Sequence, residues 1–494
     1  MKKIILNKGI VITALIMLVF TYSCSDKFVT ISPEYSIDSE NYFNSETDYY
    51  NALIASYDLL QSSYANVIVG EIASNNTLCG GESPTDVIGW QQIDDMIHTP
   101  TNSNLGDIWN WMFAGAQRTN YFMEFKDKTE FDGKEIMVGE VRFLRAYYYF
   151  ELIKWFGPIP MKVDSRFKLG EEKTIPRSPV SDVYAQIEAD LIYAESVLPV
   201  VASQTGRATK GAAQALLGKA YLFQEKFAES ADVLENVIST GPYFLVDDYN
   251  SIFEDEGENG PGSLFEVQYT DKEGAGFGCL QCSEGNVAVG FSGVRSYNGP
   301  LFTSGFSFNV PVQEAVDAFE NGDRRKPVTI LDIVAWADST NAEYSTGNEH
   351  TGYFNRKYIP RKRSEGAQND LNLTNPNNYR AIRFSDVLLM AAEANNRGGL
   401  SDAKAQDYLN IVRRRAFGDN NHDINYSGAA LTDAIYKERR VELMGEGHHF
   451  FDLVRTGRAA QSIEGFTVGK NEVFPLPIEE IEFSEGNWTQ NPNY

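Results

Sequence analysis

Two short patterns contain residues that could bind a metal ion or do redox chemistry. Cys279 and Cys282 are separated by two residues, and His448 and His449 are adjacent. A structural zinc site needs four ligands, and no second cysteine pair accompanies the first. Adjacent residues on a helix point about 100° apart, so the two histidines are poorly placed to share one metal ion. We therefore predict no metal site and no cofactor, and we expect the cysteines to be incidental thiols or a local disulfide.

The sequence also lacks a recognisable catalytic constellation. Its five histidines are scattered, and neither a Gly-x-Ser-x-Gly elbow nor a phosphate-binding Gly-x-x-x-x-Gly-Lys loop occurs. The two acids of a glycoside hydrolase can lie far apart in sequence, so such a pair could be present among the 68 Asp and Glu residues. We predict that the protein is not an enzyme, with a surface glycoside hydrolase as the alternative.

Aromatic residues that stand among glycines and polar residues are candidates for ligand binding. Tryptophan and tyrosine rings present flat apolar faces on which a sugar ring can stack, and asparagine can hydrogen-bond its hydroxyl groups. Trp90, Asn76, Tyr297 and Trp336 fall in such surroundings. We predict that these four residues bind an oligosaccharide, and that the three aromatic rings are partly exposed on one face. Packing in the core is the alternative for each of them.

Net charge restricts the classes of partner. The chain of 494 residues carries a formal net charge of -25, and its 43% hydrophobic residues suffice for a large core. Such an acidic surface repels phosphate groups, so we expect no nucleic-acid partner and no attraction to anionic headgroups. The basic clusters Arg324-Arg325-Lys326 and Arg361-Lys362-Arg363 could hold an anionic ligand, but local ion pairs are the favoured interpretation.

The N-terminus predicts an exported lipoprotein. Three lysines in the first eight residues precede an apolar run over 10–20, which is too short to span a bilayer and is typical of a secretory signal. A small residue directly before Cys24 resembles the cleavage box of bacterial lipoproteins, although Thr21 replaces the usual leucine. We predict a signal peptide over 1–23, lipidation of Cys24 and a tether over 24–40. An ordinary cleaved signal is the alternative.

Helices are the elements that must position the candidate residues. Aromatic residues from Glu140 to Phe156 recur around most of a helix that ends at Gly157, which predicts a helix buried inside a bundle. The stretch Arg207 to Pro242 resembles a tetratricopeptide repeat, in which Gly218 allows two helices to approach closely. Further helix pairs or helices are predicted over 47–61, 105–125, 180–198, 384–416 and 432–444.

Two stretches interrupt the helical pattern. Asn, Gly and Pro recur over 66–104 and predict a long loop that holds Trp90. Eleven glycines lie between Gly257 and Gly305. We therefore predict an irregular ligand-binding insertion over about 243–380, packed on a helical repeat scaffold formed by 41–242 and 381–494.

Motifs spread along the chain carry a family resemblance. They are Arg-Phe-Leu-Arg-Ala-Tyr-Tyr at 142–148, Phe-Gly-Pro-Ile-Pro at 156–160, Glu-Arg-Arg-Val-Glu-Leu at 438–443, Phe-Asp-Leu-Val-Arg at 451–455 and the terminal Gln-Asn-Pro-Asn-Tyr. In this combination the sequence resembles the SusD-like (RagB/SusD) family of outer-membrane nutrient-binding lipoproteins. The resemblance covers the chain from the leader to the last residue.

The resemblance implies a mainly α SusD-like fold, with one such domain over 41–494. It implies a lipoprotein of the outer membrane that faces the cell exterior, binds glycan on an aromatic arc and delivers it to a SusC-like TonB-dependent transporter. It also implies a paired ionic network around the 438–455 motifs. A repeat-based scaffold without a small ligand is a further alternative, and the aromatic insertion argues against it.

Overall fold

The computed structural model describes residues 42–274, 276–361, 366–368 and 370–494. The predicted signal peptide over 1–23, Cys24 and the tether over 24–40 lie outside the described residues, as do Lys362 and Arg363 of the second basic cluster. The chain divides into two compact units, Met1–Asp48 and Tyr49–Tyr494. Among the described helices, none has the length and apolar character that a membrane span requires.

Helices make up most of the regular structure. They are α1 (Glu46–Asp58), α2 (Tyr64–Ile72), α3 (Ile88–Asp94), α4 (Ser103–Glu124), α5 (Lys134–Phe156), α6 (Val180–Val197), α7 (Lys210–Phe223), α8 (Phe227–Thr240), α9 (Val287–Ser292), α10 (Gln313–Asp317), α11 (Lys326–Thr329), α12 (Ile333–Thr340), α13 (Phe384–Arg397), α14 (Asp402–Phe417), α15 (Gly428–Leu443), α16 (His449–Arg455), α17 (Ala459–Ser462) and α18 (Ile478–Phe483). Short 3-10 turns occupy Leu59–Ser63, Glu171–Lys173, Ser251–Phe253, Asp255–Gly257, Leu280–Cys282 and Arg356–Tyr358.

The strands are short and form two-stranded antiparallel sheets. They are β1 (Thr77–Leu78), β2 (Ile159–Pro160), β3 (Arg177–Ser178), β4 (Ser263–Val267), β5 (Val310–Pro311), β6 (Ile330–Asp332), β7 (Tyr353–Asn355) and β8 (Tyr379–Arg383). The pairs are β1 with β5, β2 with β3, β4 with β8 and β6 with β7. The pairs β1 with β5 and β4 with β8 join segments that are distant in sequence, whereas β2 with β3 and β6 with β7 join segments that are closer in the chain.

The long helices pack on one another in succession. α4 packs on α5, α5 on α6, α6 on α7 and α7 on α8; the series then continues from α8 to α13, and from α13 to α14 and α15. Helix pairs of this kind bury their apolar faces only by stacking on their neighbours. The predicted mainly α, tetratricopeptide-like scaffold with a loop-rich insertion is confirmed.

Helix α5 is buried along most of its length, as its aromatic residues predict. Tyr147, Phe150 and Trp155 are each at most 3% exposed. Gly157 ends the helix with a φ of 69°, a conformation that favours glycine. Arg145 anchors α5 to α6 through a paired contact with the Asp190 carboxylate, at 2.8 and 2.7 Å. The buried aromatic helix and its glycine end are therefore confirmed.

Gly218 lies where α7 and α8 approach each other. A Cβ atom at this position would be 2.5 Å from the Leu234 side chain of α8. The Ser230 hydroxyl on α8 donates a 2.8 Å hydrogen bond to the Gly218 carbonyl oxygen. The close helix contact predicted for this glycine is confirmed.

The long loop predicted over 66–104 is wrong. Helix α2 covers Tyr64–Ile72, and Trp90 lies on helix α3 rather than on a loop. Every residue of α2 is buried, so its sequence lacks the alternation of apolar and polar residues that identifies a surface helix. The Asn, Gly and Pro residues that follow α2 mark only the connections around α3 and the start of α4.

Buried ion pairs connect the insertion to the C-terminal helices. The Glu442 carboxylate on α15 binds Arg325, Arg383 and Arg415 at distances of 2.7–3.0 Å. Burial would raise the pKa of Glu442, but the three arginines outweigh it and hold that pKa well below its ordinary value. The expected ionic network is confirmed, and it accounts for Arg325 of the first basic cluster without an anionic ligand.

Candidate functional site

Trp90 is buried, so the prediction that its ring is partly exposed is wrong. Its exposed fraction is 4%. The ring packs edge-on against Phe291 and Phe308, with centroid distances of 4.8 and 5.2 Å. The glycines and polar residues around Trp90 in sequence do not surround it in space, because distant segments fold over helix α3.

Asn76 is also buried, with no exposed surface. Its side-chain oxygen accepts a 2.8 Å hydrogen bond from Nε of Arg440 on α15, and its carbonyl oxygen accepts one of 3.0 Å from the Val312 amide. The first contact joins the loop after α2 to the C-terminal scaffold, and the second joins it to the insertion. The surroundings of Asn76 are therefore those of a structural residue.

Tyr297 and Trp336 are brought together by the fold. The indole nitrogen of Trp336 donates a 2.8 Å hydrogen bond to the Tyr297 hydroxyl, which donates a 2.8 Å hydrogen bond to the Pro300 carbonyl oxygen. Tyr297 is only 7% exposed, so the prediction of exposure is wrong for it, whereas Trp336 is partly exposed. Whether any of the four predicted residues binds a ligand stays a prediction.

Trp336 and Tyr344 pack against one apolar cluster and keep part of their surface exposed. Phe302 supports the Trp336 ring at a centroid distance of 5.3 Å. The His350 ring lies 5.8 Å from that of Tyr344, and burial lowers the pKa of this histidine. We call the partly exposed rings of Trp336 and Tyr344 the aromatic platform.

Two exposed polar residues lie on adjacent loops: Asn298 follows Tyr297, and Glu343 precedes Tyr344. The backbones of Asn298 and Glu343 exchange two hydrogen bonds of 2.9 Å, and the Asn298 amide nitrogen donates to the Glu343 carboxylate at 3.2 Å. The Ser345 amide donates a further 2.9 Å hydrogen bond to the carbonyl oxygen of Arg295. The loops that contain Tyr297 and Tyr344 are thereby held together, with hydrogen-bonding groups beside partly exposed rings.

Phe277 and Phe306 form a further aromatic contact, in which only Phe277 is exposed. Phe277 is 59% exposed, and its ring lies 5.5 Å from that of half-buried Phe306. Phe306 packs on Phe291, which in turn supports Trp90. Phe277 and Phe306 were not among the residues predicted from the sequence, although each directly follows a glycine.

The cysteine motif lies next to Phe277. Cys279 and Cys282 form a disulfide with a Cα–Cα distance of 5.3 Å, which settles the alternatives left open by the sequence. Phe277 lies two residues before this disulfide loop. Cys79 is a free, buried thiol, and burial raises its pKa.

The adjacent histidines occupy different surroundings. His448 lies 3.3 Å from the Lys219 ammonium, whereas Nε2 of His449 lies 3.0 Å from the Asn75 side-chain oxygen. Burial lowers the pKa of both imidazoles to about 3, so both are neutral near pH 7. Within the described residues, no group of three or more His, Cys, Asp or Glu side chains is arranged to hold a metal ion.

Two family profiles match separate parts of the chain. A profile described as the SusD family matches residues 331–494. A profile described as "Starch-binding associating with outer membrane" matches residues 28–222. A SusD-like protein of Formosa agariphila is 25% identical over 514 residues, which cover 98% of this chain and 99% of the relative.

Solved structures show the same similarity in three dimensions. A laminarin binding SusD-like protein is 34% identical, with a TM-score of 0.83, and the match covers 91% of this chain and 100% of that protein. Surface glycan-binding protein A from Bacteroides thetaiotaomicron, in complex with laminarihexaose, is 25% identical with a TM-score of 0.81. That match also covers 91% of this chain and 100% of the relative.

Proposed function

This chain belongs to the SusD family, and from this premise we propose that it is a non-catalytic cell-surface protein that binds oligosaccharide. The main structural support is the aromatic platform, in which the Trp336 ring is held by Tyr297 and Phe302 while part of it stays exposed. A ring that is held in place before binding loses little conformational entropy when a sugar stacks on it. Asn298 and Glu343 offer hydrogen-bonding groups on the adjacent loops.

We further propose that the ligand is an uncharged oligosaccharide of the laminarin type. Two structurally similar relatives are named for binding laminarin or were solved with laminarihexaose. The formal net charge of -25 also disfavours a strongly anionic glycan, because the protein's field would repel it. The proposed ligand chemistry is therefore ring stacking combined with hydrogen bonds to hydroxyl groups.

Delivery of the bound glycan to a partner is part of the same proposal. The protein would be anchored in the outer membrane through a lipid on Cys24, face the cell exterior and associate with a SusC-like TonB-dependent transporter. Support comes from the family and from the description of the profile that matches residues 28–222. The single domain proposed over 41–494 would then present the insertion over about 243–380 to the glycan.

Isothermal titration with laminarihexaose tests the binding site. Trp336→Ala should weaken binding by about tenfold or more, in line with the roughly 1–3 kcal/mol that ring stacking contributes in other systems. Its melting temperature should fall, because the Tyr297 hydrogen bond and the Phe302 contact are lost, but by less than for a fully buried ring. Tyr426→Ala is the matched control, since Tyr426 is 53% exposed and lies outside the aromatic platform.

Unchanged affinity in Trp336→Ala would overturn the site assignment. Incubation of the protein with laminarihexaose, followed by product analysis, tests the non-catalytic part of the proposal. We expect no shorter oligosaccharides. Their steady production by the purified protein would instead support the glycoside hydrolase alternative.

A further inference from the structure

A pocket of about 330 Å³ lies between helix α4, the segment after β2 and the C-terminal helix α18. We call it the Trp109 pocket. Aromatic side chains form much of its wall, and two exposed apolar residues, Leu169 and Phe483, stand among its lining residues. The wall aromatics are Trp109, Phe113, Phe167 and Trp488. None of these residues belongs to the aromatic platform.

One buried carboxylate lines this pocket with an oxygen that has no partner. Glu172 is only 5% exposed. Its Oε2 atom accepts a 2.7 Å hydrogen bond from the Gly170 amide, whereas its Oε1 atom is buried and has no hydrogen-bond partner among the described residues. A buried acceptor left without a donor costs about 1–3 kcal/mol, and more when it is charged. The Glu172 side chain must rotate toward the pocket for a ligand to donate to Oε1, and that hydrogen bond would remove this cost.

A second carboxylate lines the same pocket. The Glu480 side chain is hydrogen-bonded by the Trp109 indole, and burial raises the pKa of this acid. The lining cation, Lys168, has an exposed side chain. Lys173, next to Glu172 in sequence, is instead paired with Glu485 at 2.5 Å. Apart from the exposed Lys168, the charged residues that line the pocket are therefore acidic, and they stand beside an aromatic wall.

We propose that the Trp109 pocket binds a small organic amine, with the ammonium group at Glu172 and Glu480 and the apolar body against the aromatic wall. An ammonium group donates hydrogen bonds to carboxylate oxygens and compensates their negative charge. Aromatic faces attract cations through the ring quadrupole. The exposed side chains of Leu169 and Phe483 contact the part of the amine that extends toward solvent.

Other ligand classes fit this pocket less well. An anion would face two carboxylates and a strongly acidic protein. A neutral sugar can donate hydroxyl hydrogen bonds, but it leaves both carboxylate charges uncompensated in an environment of low dielectric constant. A volume of about 330 Å³ lies at the lower end of the range for small-molecule sites, which suits a compact amine.

Three probes of similar size separate the contribution of charge from that of the ring. Glucosamine carries a ring, hydroxyl groups and an ammonium group; cyclohexylamine lacks the hydroxyl groups, and glucose lacks the ammonium group. Titrations at about pH 6 keep both amines protonated. We expect both amines to bind, to raise the melting temperature and to bind more weakly at high salt, while glucose should do none of these. Equal binding of glucose and glucosamine, or no binding of either amine, would overturn the proposal.

Matched substitutions locate the site. Glu172→Gln should weaken amine binding by about tenfold or more while keeping an acceptor for the Gly170 amide, and Glu480→Gln should weaken it in the same direction. Glu479→Gln is the control, because Glu479 is the exposed neighbour of Glu480. Unchanged amine binding in a folded Glu172→Gln variant would contradict the proposal. If Glu172→Gln does not fold, unchanged amine binding in Glu480→Gln would contradict it instead.

The proposed glycan site is tested separately from the amine site. Trp336→Ala should bind both amines with unchanged affinity, and saturating cyclohexylamine should leave laminarihexaose binding unchanged. If the protein binds the amines but not laminarihexaose, only the proposed glycan-binding function is contradicted, and the amine site is not. Loss of amine binding in Trp336→Ala would contradict the assignment of the amine to the Trp109 pocket.

Discussion

The indole N–H of Trp336 and the hydroxyl of Tyr297 form a 2.8 Å hydrogen bond between helix α12 and a loop that precedes it by several elements. The hydroxyl also donates to the Pro300 carbonyl oxygen, so it accepts one hydrogen bond and donates another. Tyr297 is buried, and its hydroxyl holds the partly exposed Trp336 ring in position. This relationship assigns the two residues different roles in the proposed glycan site.

Tyr297→Phe tests that positioning role. Removal of the hydroxyl leaves the indole N–H and the Pro300 carbonyl oxygen without this partner, and we expect a loss of about 1 kcal/mol in the free energy of unfolding. Laminarihexaose affinity should fall a few-fold, because the Trp336 ring is no longer fixed. Urea unfolding and isothermal titration measure the two effects. A variant with wild-type affinity would show that the hydrogen bond serves stability alone.

Trp90→Ala should reduce stability rather than affinity. The ring is 4% exposed and packs on Phe291 and Phe308, so its removal should cost about 3–5 kcal/mol in the free energy of unfolding. Trp90→Phe keeps an aromatic ring and should cost less, which makes it the control. If Trp90→Ala kept wild-type stability but lost laminarihexaose binding, Trp90 would be a binding residue, as the sequence predicts.

Glu71→Gln should change how stability depends on pH. Burial raises the pKa of Glu71 from its ordinary value of 4.5 to about 7. The stability contributed by this raised pKa is fully present below about pH 4.5 and is lost as the pH rises through about 7. Gln keeps an oxygen for the Gly447 amide, which donates to Glu71 at 2.7 Å.

Relative to the wild type, Glu71→Gln should therefore gain stability between about pH 5 and pH 8, by up to about 3 kcal/mol. Urea unfolding at both pH values measures the difference, and Glu479→Gln serves as an exposed control. A difference between Glu71→Gln and wild type that stays constant with pH would show that Glu71 does not titrate in this window.

Cys24→Ala tests the predicted membrane anchor. Without a thiol at this position no lipid can be attached there, so the protein should leave the membrane fraction of expressing cells. Its fold and its laminarihexaose affinity should be unchanged. Cys79→Ala is the control, because Cys79 is buried within the fold and should not affect partition. Membrane association of Cys24→Ala equal to that of wild type would contradict the lipoprotein prediction.

Local sequence patterns were sufficient for most of the helical scaffold, although they missed α2 and α3. The aromatic residues of α5 are spaced for a helix that is buried on most sides, and Gly157 supplies the conformation that ends it. Gly218 marks the approach of α7 to α8 because a side chain there would collide with Leu234. Residues within a helix or a repeat lie close together in sequence, so their spacing records the faces that they bury. The motifs that identify the family have the same local character.

The exposure of individual rings was decided only by the tertiary structure. Trp90 is buried because Phe291 and Phe308, far away in sequence, close over it. Trp336 stays partly exposed although Phe302 packs on it. Glycine and polar neighbours in sequence say nothing about such distant contacts.

The Trp109 pocket depends on long-range packing in the same way. Glu172 and Glu480 belong to segments more than half of the chain apart, and each is unremarkable among 68 acidic residues until the fold brings both to one aromatic wall. Burial of a side chain results from packing among all the elements around it. The sequence by itself therefore determined most of the scaffold and the family, and the tertiary structure decided which aromatic and acidic residues are exposed, buried or brought together.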